Sequence, residues 1–213
     1  ASLMLDIDGA ILPFFVLLSY YFYLRAIVDG NKKFILPLVV AIAGGFLAKL
    51  SFVLFIGALA LDYLWTVYEK KDLKAGIKKF VYLFGGMALS VGVFYVFYGS
   101  NHPWFVEYTA EHLQTISSFG SRSYFDLSLR LFKFFIWLSP LLALSMIYGI
   151  FDKEIFSKHR IWYIYTLFNF LFYLVIFNFS TLSIERYFMF IIIPSVLISS
   201  DIVHSFIKRI NLN

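Results

Sequence analysis

Seven runs of apolar residues divide this chain, at positions 10–28, 34–50, 51–68, 80–98, 127–151, 161–179 and 187–207. Most reach the roughly 20 residues that cross a hydrocarbon core of about 30 Å at about 1.5 Å per residue. The second and third are shorter and meet at Ala48-Lys49-Leu50-Ser51, which suits a hairpin whose tip lies below the membrane surface. A cleavable secretory signal is one short apolar stretch and does not account for seven. Of the 213 residues, 61% are hydrophobic and 15% charged, against about 45–50% and about 25% in a soluble domain. Too little polar surface remains to cover a globule in water. The expectation is therefore an all-α, polytopic transmembrane bundle of about seven membrane helices, forming a single domain over residues 1–213.

Charge placement orients the bundle. Thirteen of the 18 Lys and Arg fall in alternate connections: Arg25, Lys32 and Lys33; Lys70, Lys71, Lys74, Lys78 and Lys79; Lys153, Lys158 and Arg160; and Lys208 and Arg209. The positive-inside rule makes that side cytoplasmic. The net charge of +5 is then a topology signal, and no nucleic-acid partner is expected. Asp6, Asp8, Lys49, segment 99–126 and segment 180–186 all face the extracytoplasmic side, where any chemistry is expected. An odd number of spans places the two ends on opposite sides. Because Ala1 enters at the outer face without an initiator Met, the chain is expected to be the C-terminal part of a longer membrane protein.

Segment 99–126 is the longest stretch between the runs. Asn101-His102-Pro103 reads as a helix start, and Phe105, Tyr108, His112, Ile116 and Phe119 recur at helical spacing. The pattern predicts an extracytoplasmic amphipathic helix in the interface plane, either beside a substrate or simply sealing the bundle. Pro37, Pro140 and Pro194 fall inside apolar runs, which predicts kinks compensated by neighbouring groups.

Cysteine is absent, which excludes disulfides and thiol chemistry. The four histidines lack metal-ligand spacing. The strongest candidate constellation is Leu5-Asp6-Ile7-Asp8-Gly9: two carboxylates one residue apart can share a divalent cation, or one can orient the other as a base. They also suit helix capping. Lys49, at the junction of two apolar runs, is either a phosphate ligand or a snorkelling interfacial lysine. Glu185-Arg186-Tyr187 offers a guanidinium fork for phosphate, or an interfacial anchor. Asp62 and Asp201 sit toward the cytoplasmic half, where pairing with lysine is the plainer explanation.

Three segments carry a resemblance when taken in order: Met4-Leu5-Asp6-Ile7-Asp8-Gly9-Ala10 running into a helix with a basic turn at Arg25; Gly44-Gly45-Phe46-Leu47-Ala48-Lys49-Leu50-Ser51; and Glu185-Arg186-Tyr187-Phe188 followed by Pro194. Together they resemble the GT-C fold glycosyltransferases that use lipid-linked sugars, in the branch of protein O-mannosyltransferases and aminoarabinose transferase. Where that family commonly has Thr before the Lys, this chain has Ala48.

The resemblance implies a polyprenyl-phosphate sugar donor, an acceptor glycan, lipid or protein, and a site in which Lys49, Arg186 and Arg122 neutralise the phosphate. Glu185, Tyr187, His102 and Glu107 complete the candidate substrate-binding set. The family's main acidic motif would precede Ala1, leaving Asp6 and Asp8 in a supporting role, with a divalent cation as their candidate ligand. A multi-pass transporter or lipid flippase is the alternative, and would place substrate groups near the midplane, usually with repeat symmetry; no internal repeat is found.

Overall fold

A computed structural model describes residues 10–69, 71, 73–104, 107, 129, 139–172 and 191–211. Among the described residues the secondary structure is all helical, without strands. The α-helices are α1 (Leu12–Tyr23), α2 (Ile35–Ala48), α3 (Val53–Glu69), α4 (Leu73–Asn101), α5 (Pro140–Phe151), α6 (Lys153–Leu171) and α7 (Ile192–Asn211). The chain forms two compact units, Ala1–Ser118 and Phe119–Asn213.

The all-α expectation holds. Among the described residues, however, no helix is both long and apolar enough to cross a membrane. The expectation of about seven membrane helices goes beyond what these helices show. The 12 residues of α5 and the 14 of α2 rise only about 18 and 21 Å, against a core of about 30 Å. The longer α6 opens on Lys153, Glu154, Lys158 and Arg160, and α7 carries Asp201 and Lys208.

The prolines require a correction. Pro37 and Pro194 each occupy the third position of a helix and Pro140 the first, as Pro13 occupies the second position of α1. In the first turn the missing N–H has no intrahelical acceptor to lose. Pro13, Pro37 and Pro140 thus stand in first turns and kink no helix interior, and Pro194 stands third in its described helix. At Pro140 the predicted run is broken outright, since Ser139 before it has φ 145°.

In the first unit, α1 buries Leu12, Val16, Ser19 and Tyr23, a one-sided stripe at alternating four- and three-residue steps that extends to Ala26 beyond its end. It runs without interruption into a π-helical turn, Leu24–Val28. Gly30, at φ 70°, makes the reversal toward α2. Gly44 lets α1 and α2 approach closely, since a Cβ there would lie 2.3 Å from the Phe15 ring.

The pair α3 and α4 runs antiparallel. Tyr63 donates its hydroxyl hydrogen to the Gly76 carbonyl at 3.3 Å, its ring packs on Phe80 and Phe84 at centroid distances of 6.2 and 6.1 Å, and Gly76 sits against Val67. Helix α4 runs to Asn101, and helical backbone resumes at Pro103 after His102. The rest of the predicted interfacial helix lies largely outside the described residues.

In the second unit, Asp152 alone separates α5 from α6. Its carboxylate accepts from the Glu154 and Ile155 amides at 3.0 and 3.2 Å, a helix cap. Gly149 makes room for Tyr163, whose hydroxyl donates to the Met146 carbonyl at 3.1 Å. The inward stripe of α6 is partly polar: Ile155, His159, Trp162, Thr166 and Asn169 are buried.

Outward faces show the opposite character. Leu36, Phe97, Leu141 and Phe151 are 71, 70, 75 and 81% exposed, and exposed large apolar side chains occur on every helix. Polar groups turned inward include Ser195 and Asn169, which bond back to carbonyls of their own helices at 2.8 Å.

Candidate functional site

Lys49 is an elbow between two helices. At the end of α2 its backbone becomes extended, with φ −161° and ψ 133°. Its amide still donates to the Gly45 carbonyl at 3.1 Å, and its own carbonyl accepts from the Phe52 amide at 3.0 Å. The chain thus leaves one helix and enters a 3-10 turn, Leu50–Phe52, within a single residue. Phe52 folds back onto Gly45 and is 1% exposed. The Gly44-Gly45 pair noted in the sequence therefore has two structural tasks: one glycine receives an aromatic ring from α1, and its neighbour receives one from beyond the elbow. The Lys49 side chain is half-buried.

An apolar groove of about 570 Å³ opens beside this elbow within the first unit. Phe46 and Val53, which bracket Lys49 in sequence, form part of its wall, and the small side chains of Gly57, Ala60, Ala88 and Gly92 leave it open. No Cβ-distance neighbour stands over Gly92. The geometry offers a hydrocarbon-lined channel between α3 and α4, with a lysine at the nearby turn.

His102 follows the end of α4. Its ring stacks on Tyr98 at a centroid distance of 4.2 Å, and its Nδ1 lies 3.1 Å from the Tyr98 carbonyl. Trp104 meets it edge-on at 6.3 Å. Stacking and backbone bonding hold this histidine against its own helix. Glu107 is exposed. Asp6, Asp8, Arg122, Glu185, Arg186 and Tyr187 lie outside the described residues, as does the candidate cation pair with them.

Tyr23 and His159, as partners of Asp62 and Asp201, escaped the sequence reading. Tyr23 on α1 donates to Asp62 on α3 at 3.2 Å. In the second unit, Asp201 Oδ2 lies 2.5 Å from Lys158 Nζ and 2.6 Å from His159 Nε2. The lysine partner was legible from placement, but the buried histidine, 42 residues from Asp201, was not. His159 Nδ1 is buried without a hydrogen-bond partner among the described residues. An Nε2–H donated to the carboxylate fits this arrangement, because a protonated Nδ1 would have no acceptor.

No family model, curated protein or solved structure matches this chain.

Proposed function

We propose that this chain is a multi-pass, lipid-embedded part of a glycosyltransferase of the GT-C type, transferring a sugar from a polyprenyl-phosphate donor to an acceptor at the extracytoplasmic face of the plasma membrane. The observation that carries the reading is the apolar groove beside the Lys49 elbow: an isoprenoid tail needs a hydrocarbon wall, and its phosphate needs a cation at the wall's end. The large apolar side chains exposed on every helix, over a core that is itself apolar, support lipid as the solvent. Helices too short to span alone embed as hairpins when their backbone is sheltered by neighbouring protein.

In such a reaction an acceptor hydroxyl attacks the anomeric carbon, and the bond from that carbon to the phosphate oxygen breaks. The polyprenyl phosphate leaves with the electron pair, and a carboxylate takes the acceptor's proton. Lys49 would stabilise the departing phosphate, with Arg122 and Arg186 as its candidate partners and Asp6 or Asp8 orienting the acceptor or holding a divalent cation. Charge-assisted bonds are worth about 1.5–3 kcal/mol, so Lys49→Ala in the full-length protein is expected to slow transfer from radiolabelled donor about tenfold to hundredfold. Gly92→Phe, at a groove position where a Cβ meets nothing within 4 Å, should raise KM for the long-chain donor more than for a short-chain analogue. Transfer within a few-fold of wild type in both variants would remove the groove and elbow from the mechanism.

A transporter or flippase is the second reading, favoured by the Lys158–His159–Asp201 cluster, since ionisable groups within apolar helices often mark transport paths. It predicts movement of substrate across vesicles without a new glycosidic bond.

A further inference from the structure

We infer that the lysine-rich end of the α3–α4 hairpin is a docking surface for the headgroups of anionic phospholipids. The inference rests on the lipid-embedded reading of the chain and is independent of sugar transfer.

The rotation of α4 is fixed by contacts on one side. Tyr63 bonds Gly76 and packs on Phe80 and Phe84, and Gly76 lies against Val67. Positions two residues either side of Gly76 lie roughly half a turn away, which puts Lys74 and Lys78 on the face turned from α3. Lys71, Lys74, Lys78 and Lys79 are all exposed. At the same end, the last turns of α3 expose Trp65 and Tyr68, and Trp65 Nε1 donates to the Glu69 carboxylate at 2.7 Å. Exposed aromatic rings with lysines beyond them are the layout of a membrane–water boundary.

The apolar residues on this surface decide the occupant. Leu73, Ile77 and Val81 are exposed among the lysines, and beyond Gly85 the same four-residue step resumes at Leu89, Val93 and Phe97. An acidic protein would match the lysines but leave this row uncovered. A phospholipid layer satisfies both, with acyl chains along α4 and phosphates at the ammonium groups.

The backbone adds an independent observation. Lys71 closes α3 in the left-handed region at φ 56°, its amide donating to the Tyr68 carbonyl at 3.1 Å. Glycine is the usual residue at such a helix end, so a lysine there holds its side chain at the tip against local preference.

The test uses the full chain in nanodiscs of phosphatidylcholine mixed with phosphatidylglycerol, with native mass spectrometry counting the lipids that remain bound. Phosphatidylglycerol is expected to be retained over phosphatidylcholine, and the K74Q/K78Q variant to lose that preference by about fivefold for each lysine. Lys71→Gly should weaken retention while the melting temperature stays level or rises, which separates charge from folding. Equal retention of the two lipids by a protein firmly held in the discs, or full retention by K74Q/K78Q, would overturn the docking surface alone. A chain that stays dissolved without detergent and enters neither disc would overturn the lipid-embedded reading as well.

Discussion

Phe52 places its ring where a side chain on Gly45 would have to stand: a Cβ on that glycine would lie 2.5 Å from Phe52 Cε2. The ring is buried and cannot swing aside cheaply, so the geometry of the Lys49 elbow depends on a hydrogen atom at position 45. Gly45→Ala is expected to lower stability by about 1–3 kcal/mol, the usual penalty for overpacking, measured by thermal unfolding in detergent. Gly85→Ala, at an exposed position with open space around it, is the control. It should be neutral, or stabilising by up to about 1 kcal/mol through helix propensity.

The contact of Gly76 with Val67 predicts coupling. A Cβ at position 76 would fall 2.3 Å from Val67 Cγ1, so Gly76→Ala alone should destabilise the α3–α4 pair. In a Val67→Ala background the same change should cost less, with an interaction energy of about 0.5–3 kcal/mol in a double-mutant cycle. Additive costs would show that the two helices do not meet there.

Asp201 permits a graded test. Asp201→Asn keeps an acceptor for His159 Nε2 and loses mainly an ion pair with Lys158, whose side chain is 65% exposed; the expected cost is at most about 1 kcal/mol. Asp201→Leu leaves the buried histidine without that acceptor and should cost about 1–3 kcal/mol more. Equal unfolding midpoints for the two variants would remove His159 from the account.

The Tyr23–Asp62 bond ties α1 to α3 across the first unit. Tyr23→Phe preserves the packing of a ring that is almost fully buried and removes one donor. A loss of about 0.5–1.5 kcal/mol is expected, read from the shift of the unfolding midpoint.

The apolar runs located helices well where their polar flanks were breakers and poorly where the flanks were helix formers. Run 34–50 became α2 almost residue for residue, with Lys49 at its end. Run 80–98 underestimated α4, because Leu73 to Lys79 is rich in residues that continue a helix as readily as leucine does. The same cause hid the first eight residues of α6, including His159. Hydropathy registers what a side chain prefers as solvent, whereas a helix boundary depends on caps and prolines; Pro140 and Asp152 carry that signal, but an apolar run makes the proline a kink and passes over the aspartate. Of the candidate site, Lys49 and its double glycine were legible because charge and small residues stand out in an apolar run. The groove was not, since it is left open by ordinary alanine and glycine brought together only by pairing α3 with α4.

The single-residue joint at Asp152 leaves α5 and α6 no slack. With the cap bonded to both following amides and Tyr163 fastened to the Met146 carbonyl, the two helices are tied at both sides of the joint. A displacement of one is passed directly to the other, and an insertion at that joint would cut the mechanical link between them while sparing the apolar contacts along their lengths.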